Sequence, residues 1–373
     1  MTQEAFALIT GGGTGGHVYP ALAVADELVR RGHDRAAVRF VGSRRGLEAT
    51  SVPAAGYGIA LLPGRGVRRS LRPADLVANI GAVVGLVAAF ARAIGIVTRP
   101  RPRVVFGVGG YASAACIVAA RLRRVPAVVH EQNAAPGLAN RLAVRLGARA
   151  AVSLPDTPLR GAVVTGNPVR REIVDVAHEP SVAPRLVVVV GGSLGARTLN
   201  DAAVELYARW RNRSDVRVHH VTGRRDFERC LGALTGMRSA GDVLDFDVVA
   251  YDDDIETAYA RASVFVCRAG AVTCAELTVT GMPALLVPLP GAPADHQTRN
   301  AEALAAAGAA VVVPDAELGG ARLDHELTAL LDDGARLERM STAARTLGRP
   351  DAAARVADLV EGAAAARSSE EAA

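Results

Sequence analysis

Lysine is absent from this sequence of 373 residues, and all 43 of its basic side chains are arginine. Without lysine, the chain can form no Schiff base and cannot hold a nucleotide through a P-loop lysine. Aromatic residues are scarce as well, at 4% of the chain. The four cysteines (Cys116, Cys230, Cys267 and Cys274) show neither metal-ligand spacing nor the density of a disulfide framework. Lysine-dependent active sites are thereby excluded, and the cysteines indicate neither a metal site nor a disulfide framework.

We expect no signal peptide, because Met1 leads directly into a short apolar run without a basic segment or a cleavage site. We therefore expect a cytoplasmic protein. The net charge is only +5, and the arginines are scattered except near 65–72 and 99–103. A charge this weak and dispersed argues against nucleic acid as a partner. An anionic lipid surface or a pyrophosphate group remains compatible with the two arginine clusters.

Half of the residues are hydrophobic, and alanine and valine supply most of this apolar mass, as in parallel strands covered by helices. Short apolar runs alternate with segments of helical periodicity, which predicts repeated βα units. The same order of strand, glycine-rich loop and helix opens the chain and restarts at 185–190. The sequence therefore predicts an α/β fold of two Rossmann-like halves, each a doubly wound parallel sheet.

The length of the chain also favours two domains. We predict an N-terminal domain at 1–166, a second domain at 167–349 and a C-terminal helix at 350–367 that packs back on the N-terminal domain. Pro168 interrupts regular structure and marks the hinge. Residues 368–373 are predicted to form a disordered tail.

The glycine-rich stretch at 10–20 lies between a predicted strand at 5–9 and a predicted helix at 20–31, with Pro20 in its first turn. Free N–H groups and the helix dipole favour an anion there, which predicts a phosphate-bearing ligand. Its glycines also satisfy the dinucleotide fingerprint G-x-G-x-x-G. Because Arg44 and Arg45 follow the next strand and could hold a 2′-phosphate, an NADP-dependent oxidoreductase is one alternative.

Seven motifs, in order between residues 5 and 360, resemble the MurG family of GT-B glycosyltransferases. They are 11–20, 109–113, 130–133, 166–170, 191–193, 268–276 and 295–300. The resemblance implies two Rossmann-like domains that face a cleft. It also implies inverting transfer of N-acetylglucosamine from UDP-N-acetylglucosamine to lipid I, which is undecaprenyl-pyrophosphoryl-muramoyl-pentapeptide, giving lipid II for peptidoglycan synthesis. Leu194 and Gly291 depart from the family pattern, which leaves open a paralogue that glycosylates another acceptor.

For the donor, the resemblance implies that Glu276 accepts hydrogen bonds from the ribose hydroxyls, a task that suits an acceptor-only carboxylate. It also implies that Tyr251 lies near the uracil and that Gln297 contacts the hydroxyls of the donor sugar. The full set of donor-binding residues implied is Thr14, Gly15, Gly16, Asn133, Arg170, Ser193, Tyr251, Ala271, Val272, Thr273, Glu276 and Gln297. The structural alternatives are an exposed helix residue for Glu276, a helix cap for Ser193, a surface arginine for Arg170 and a turn residue for Asn133.

On the acceptor side, His17 is the candidate catalytic base, because imidazole can accept a proton near neutral pH. A hydrogen bond from His17 to phosphate is the alternative. The acceptor-binding residues implied are Gly13, Thr14, Gly109, Gly110 and Tyr111. No metal is expected, since helix N-termini can stabilise the departing pyrophosphate. His130 is predicted to be a packed structural residue, His219 and His220 to lie on a surface strand, and Asp295 to cap a helix.

Residues 76–97 are 22 mostly apolar residues, a length sufficient to span a bilayer. The strands predicted before and after them belong to one parallel sheet, so a single span is excluded. We expect peripheral attachment to the cytoplasmic face of the membrane through this helix and Arg65, Arg68, Arg69 and Arg72, beside a lipid-linked acceptor.

Two further alternatives to a glycosyltransferase remain. One is a sugar-nucleotide epimerase, which has no lipid acceptor, and the other is a non-catalytic nucleotide-binding protein.

Overall fold

The structure is a computed structural model that describes residues 5–44, 46–63, 88–99, 101–192 and 195–372. The chain divides into two compact units. Unit 1 comprises the described residues of Met1–Arg170 together with Pro350–Ala373, and unit 2 comprises Arg171–Arg349. Each unit is built on one sheet of its own.

The strands are β1 Ala7–Thr10, β2 Val38–Ser43, β3 Ile59–Leu62, β4 Val104–Gly107, β5 Ala127–Glu131, β6 Arg149–Val152, β7 Val163–Val164, β8 Arg185–Val190, β9 Val216–Val221, β10 Asp245–Val249, β11 Ala262–Cys267, β12 Ala284–Leu286 and β13 Ala310–Val312. The helices are α1 Gly15–Arg30, α2 Glu48–Ala54, α3 Gly110–Leu122, α4 Leu138–Arg145, α5 Arg171–Val174, α6 Arg197–Trp210, α7 Phe227–Met237, α8 Ile255–Arg261, α9 Ala271–Thr280, α10 His296–Ala306, α11 Gly320–Leu331, α12 Gly334–Leu347 and α13 Ala352–Ala372. Residues 88–98 are also helical.

Both sheets are parallel and doubly wound, as the sequence predicts. The seven strands of unit 1 lie in the order β3-β2-β1-β4-β5-β6-β7, and the six of unit 2 in the order β10-β9-β8-β11-β12-β13. The strand order reverses between β1 and β4 in the first sheet and between β8 and β11 in the second. In open α/β sheets, ligands bind beyond the carboxyl ends of the strands at this reversal. The glycine-rich loops of both units follow these strands.

The cores explain why alanine and valine dominate the composition. In unit 1, every residue of β1 and β4 is buried. Small apolar side chains of α1 and α13 pack on one face of the sheet, and those of α3 and 88–98 pack on the other. In unit 2, α6 and α11 contribute to the cluster around β8 and β11. Strands buried on both faces require continuous apolar runs, which is the pattern in the sequence.

Two local predictions are wrong, and three strands were not predicted. Helix α1 begins at Gly15, so Pro20 lies inside the helix rather than in its first turn. The Thr14 carbonyl accepts the N–H groups of His17 and Val18, which starts the helix within the glycine-rich stretch. Helix α13 continues to Ala372 through the predicted disordered tail, in keeping with the high helix propensity of alanine and glutamate. Strands β3, β6 and β7 were not anticipated from the apolar pattern.

The predicted membrane-binding segment is described only in part. Arg65, Arg68, Arg69 and Arg72, and residues 76–87 of the predicted helix, lie outside the described residues. Within 88–98, Ala89, Ala93 and Val97 are buried in the core of unit 1. Among the residues that the structure describes, no helix is both long enough and apolar enough to cross a membrane.

Candidate active site

The loops after β1 and β4 are interlocked in unit 1. A side chain on Gly11 would overlap Val108, and a Cβ on Gly110 would lie 3.2 Å from the Gly12 carbonyl oxygen. Gly109 has a φ of +104° and precedes the first residue of α3. Only glycine fits such close approaches without strain. The two loops therefore form one surface at the point where the strand order of the sheet reverses.

His17 lies on this surface. It is the third residue of α1, and an ideal Cβ on Gly109 would be 3.1 Å from its Nε2 atom. The imidazole is thus packed against the turn after β4. The structure therefore brings the predicted catalytic residue together with Gly109 and Gly110, two of the predicted acceptor-binding residues.

Tyr111 extends the same turn. Its hydroxyl donates to the Leu62 carbonyl at 3.5 Å. Burial raises the pKa of the phenol, a side-chain hydrogen bond with Ser43 lowers it, and the charge of Glu48 raises it, with a net shift above the ordinary value. The hydroxyl is therefore tied to the Leu62 carbonyl and to Ser43, which fixes the Tyr111 ring beside the turn after β4.

A buried carboxylate organises the loop after β5. Glu131 accepts hydrogen bonds from the Asn133 backbone N–H at 3.1 Å and from its side-chain amide at 3.3 Å. It also accepts hydrogen bonds from the Asn140 side-chain amide at 2.8 Å and from the Gly137 N–H at 2.9 Å. Asn133 is therefore fixed by Glu131, a contact that suits both a turn residue and a ligand-binding residue. Glu131 lies within a motif that the sequence identifies, yet the motif alone gave it no role.

His130 is fully buried, and its Nε2 lies 2.9 Å from the Gly166 carbonyl oxygen. Burial lowers its pKa to about 4. The prediction of a packed structural residue is confirmed.

Arg170 is the last candidate site residue in unit 1. Its guanidinium carbon lies 4.8 Å from the centre of the Tyr19 ring on α1, a cation–π geometry. Tyr19 in turn packs beside Gly15, with its Cε2 atom 3.0 Å from an ideal Cβ there. A fixed positive charge is therefore anchored beside the first turn of α1.

In unit 2, the turn after β11 leads into α9. Ala271, Val272 and Thr273 are the first three residues of this helix, so their N–H groups have no acceptor within the helix. Glu276 follows on the same helix, half-buried, and accepts a hydrogen bond from the Tyr259 hydroxyl at 3.1 Å. Tyr259 stacks on Phe265 with ring centres 4.5 Å apart. Glu276 is thus held by a packed aromatic pair rather than being an unconstrained helix glutamate.

The loop after β12 is tied to this turn. The Asn300 side-chain amide donates to the Ala269 carbonyl at 3.1 Å, and the Gln297 side-chain oxygen accepts the Leu289 N–H at 3.0 Å. Asp295 occupies the position before α10, but its carboxylate accepts the Thr298 hydroxyl at 2.7 Å. The predicted helix-capping bond of Asp295 is therefore not formed.

Other predicted donor residues are more dispersed. Tyr251 follows β10 at the edge of the sheet, is 41% exposed, and carries the Arg224 guanidinium 5.6 Å from its ring centre. Two strands separate β10 from β11, so Tyr251 and Glu276 lie at different positions along one edge of the sheet. Ser193 and Leu194 lie outside the described residues.

The surface assignment of His220 is wrong. It is fully buried, its Nε2 lies 3.0 Å from the Asn200 side-chain oxygen, and burial lowers its pKa to about 4. Asn200 in turn donates to the Thr222 carbonyl at 3.0 Å and to Asp226 at 3.1 Å. This network supports the turn after β9, which touches the loop at Gly195. His219 is half-buried, with one ring nitrogen 2.8 Å from Asp247 and the other 3.2 Å from Asp252.

Each unit therefore presents glycine-rich or helix-opening turns at the reversal point of a parallel sheet, which is where α/β proteins bind nucleotides and phosphates. Within the described ranges, no group of three or more histidine, cysteine, aspartate or glutamate side chains is arranged to hold a metal ion. Two Rossmann-like units in series, each on its own parallel sheet, are the GT-B fold.

Comparisons with known proteins specify the family. The N-terminal domain of glycosyltransferase family 28 matches residues 7–152, and its C-terminal domain matches residues 186–356. This chain belongs to glycosyltransferase family 28.

Two relatives are named UDP-N-acetylglucosamine–N-acetylmuramyl-(pentapeptide) pyrophosphoryl-undecaprenol N-acetylglucosamine transferase. The one from Nitratidesulfovibrio vulgaris strain Hildenborough is 44% identical over 364 residues, 95% of this chain and 96% of the relative. The one from Alkalilimnicola ehrlichii is 45% identical over 362 residues, 94% of this chain and 97% of the relative. The crystal structure of Acinetobacter baumannii MurG has a TM-score of 0.74 and 29% identity, and the match covers 96% of this chain and 99% of that one.

Proposed function

We propose that this chain transfers N-acetylglucosamine, with inversion, from UDP-N-acetylglucosamine to the muramoyl 4-hydroxyl of lipid I. The product is lipid II for peptidoglycan synthesis. The observation that carries this proposal is identity of 44–45% along nearly the whole chain with relatives named for this transferase. Family membership favours a glycosyltransferase over the oxidoreductase, the epimerase and a non-catalytic binding protein.

The donor is bound chiefly by unit 2 in this proposal. The amides at the start of α9 meet the pyrophosphate of UDP, where the helix dipole also favours negative charge. Glu276 accepts hydrogen bonds from the ribose hydroxyls, and its bond from Tyr259 fixes the carboxylate for that task. Gln297 contacts the sugar, Tyr251 contacts the uracil, and Ser193 contacts the nucleotide.

The acceptor is bound by the joined loops of unit 1. Amides of the glycine-rich loop and of the turn at Gly109 hold the pyrophosphate of lipid I. His17 removes the proton of the 4-hydroxyl as that oxygen bonds to C1 of the donor sugar and the bond from C1 to UDP breaks. Arg170 adds a positive charge that stabilises the departing pyrophosphate. Thr14 and Asn133 also contact the donor. Gly15 and Gly16, which the resemblance assigned to the donor, instead present their N–H groups to the acceptor pyrophosphate in this proposal, because they form the first turn of α1 beside His17.

Lipid I is membrane-linked, so we also propose peripheral attachment to the cytoplasmic face of the membrane. The support is in the sequence, which places four arginines (Arg65, Arg68, Arg69 and Arg72) directly before the apolar stretch at 76–97. Each arginine near an anionic surface contributes about 1 kcal/mol, and salt screens that attraction. Replacing all four with glutamate should weaken binding to anionic vesicles without changing UDP affinity. Wild-type protein that stays on vesicles after a carbonate wash would contradict peripheral attachment.

The decisive experiment combines the purified chain, UDP-N-acetylglucosamine and a short-chain lipid I analogue, and measures UDP release with product analysis. UDP release that depends on the analogue, with a disaccharide product, is expected. Conversion of the donor to its 2-epimer without the analogue would identify an epimerase. A change in NADPH absorbance in a parallel assay would support the oxidoreductase.

A further inference from the structure

Glu48 is a buried carboxylate beneath the glycine-rich loop of unit 1. It is the first residue of α2 and only 2% exposed. One carboxylate oxygen accepts the Gly13 N–H at 2.8 Å, and the other accepts the Ser43 N–H at 2.7 Å. A single side chain therefore joins the loop after β1 to the last residue of β2.

Three glycines leave the space that this carboxylate fills. A Cβ on Gly12, on Gly42 or on Gly46 would overlap the side chain of Glu48. These glycines belong to the β1 loop, to β2 and to the segment that leads into α2. Three separate backbone segments are thus shaped around one carboxylate, which is more than an incidental helix residue requires.

The position of Glu48 has a consequence for anion binding. The Gly13 N–H is directed at the carboxylate, so it does not donate to a phosphate. The N–H groups of Gly15 and Gly16, at the start of α1, have no acceptor within the helix and are left for the ligand. Ser43 also hydrogen-bonds the side chain of Tyr111. Glu48 is in this way connected to both loops that the proposed function assigns to the acceptor.

We propose that Glu48 is a positioning residue of the acceptor site, which fixes the Gly13 loop so that the first turn of α1 faces the pyrophosphate of the lipid-linked substrate. The inference rests on the proposed function, because it assigns that loop to the acceptor rather than to the donor. Gly13 then contributes the shape of the loop and not a hydrogen bond to the ligand.

Glu48→Gln is the sharpest test, since it keeps the shape of the side chain but replaces one accepting oxygen with an N–H₂ group that faces a backbone N–H. The KM for a short-chain lipid I analogue should rise about tenfold or more, which corresponds to about 1.4 kcal/mol of binding free energy, because the displaced Gly13 loop no longer directs the first turn of α1 at the pyrophosphate. The KM for UDP-N-acetylglucosamine should stay at the wild-type value. A short-chain prenyl pyrophosphate without sugar should inhibit the variant more weakly by the same factor.

Glu205→Gln is the matched control. Glu205 accepts the Gly320 N–H at 2.6 Å in unit 2, so it repeats the same kind of bond away from the acceptor loops. This variant should leave both KM values unchanged. Glu48→Asp keeps a carboxylate but shortens the side chain. Its KM for the lipid I analogue should lie between those of the wild type and Glu48→Gln.

The proposal is overturned if folded Glu48→Gln keeps the wild-type KM for the lipid analogue, or if both substrates are weakened equally. If Glu48→Gln does not fold, Glu48→Asp is held to the same criteria. A wild-type chain that transfers no sugar to the analogue would instead refute the proposed function, so the two failures are distinguishable.

Discussion

His17 and Glu276 separate the two halves of the proposed reaction at the scale of single residues. His17→Ala should lower kcat by about 10²–10⁴-fold, the usual cost of losing a general base. UDP affinity should remain near wild type, because His17 is packed against Gly109 in unit 1. Steady-state kinetics with the lipid analogue and a pH–rate profile test this expectation. A variant that retains the acidic limb of the profile would show that another group is the base.

Glu276→Ala should weaken donor binding while the fold is kept. A charged hydrogen-bond acceptor to a neutral hydroxyl contributes roughly 1.5–3 kcal/mol, or about a tenfold to over a hundredfold change in affinity. Isothermal titration with UDP measures the loss. Glu302→Ala is a suitable control, since Glu302 is an exposed residue of α10. Equal UDP affinities for both variants would place the ribose contact elsewhere.

Residue types and motif order were sufficient to predict the packed His130 and to propose roles for His17 and Glu276. They were insufficient for Glu48 and His220, because the roles of both depend on partners distant in the chain. Glu48 is 35 residues from Gly13, and no local spacing indicates that a helix glutamate turns inward beneath a loop. His220 adjoins the half-buried His219 on β9. Their side chains point to opposite faces of the sheet, and the local sequence does not show which face is covered more deeply.

At the scale of elements, an ion-pair network attaches α13 to the rest of unit 1. Arg31 contacts Glu27 at 2.8 Å, Asp358 at 2.7 Å and Glu361 at 2.6 Å, and it donates to the Ala354 carbonyl at 2.9 Å. Glu361 also lies 2.8 Å from His33, which stacks on Phe6 with ring centres 3.7 Å apart.

Removing this network should destabilise unit 1. Arg31→Ala is expected to lower the free energy of unfolding by about 1–2 kcal/mol, after allowance for the partial exposure of Asp358 and Glu361. Arg355→Ala removes an exposed pair between α13 and Asp351, the residue just before this helix, and should cost less than about 0.5 kcal/mol. Urea unfolding of both variants gives the comparison. If both variants lost the same free energy of unfolding, apolar packing alone would hold α13 in place.

Long buried strands were predictable as elements because two buried faces demand an unbroken apolar run. Strand β7 was not predictable in this way, since its two valines are exposed. The start of α1 was misplaced for a different reason. Glycine has a low helix propensity, yet Gly15 and Gly16 are helical because the Thr14 carbonyl accepts the first bonds of the helix.

For the whole molecule, each unit contains one fully buried neutral histidine, His130 in unit 1 and His220 in unit 2. The pKa of each is lowered from 6.5 to about 4 by burial. Between these two values the unfolded chain binds protons that the folded chain does not, so stability falls as the pH decreases from 6.5 to 4. Each histidine should account for a loss of about 3 kcal/mol.

Urea unfolding from pH 7 to 4 tests this pH dependence. His220→Gln keeps a side-chain amide near the position of Nε2 and should make the decline distinctly shallower. His325→Gln changes an exposed histidine and should reproduce the wild-type curve. Identical slopes for all three proteins would show that carboxylates, rather than the buried imidazoles, control acid sensitivity.

The division of the chain also sets an order of synthesis. Val356, Ala357 and Val360 of α13 belong to the same core as β1 and α1, whereas unit 2 is one continuous stretch. On the ribosome, all of Arg171–Arg349 emerges before the residues that complete the first core. Unit 2 can therefore fold from one continuous segment, whereas the core of unit 1 stays incomplete until α13, which is synthesised after all of unit 2, becomes available to cover its apolar face.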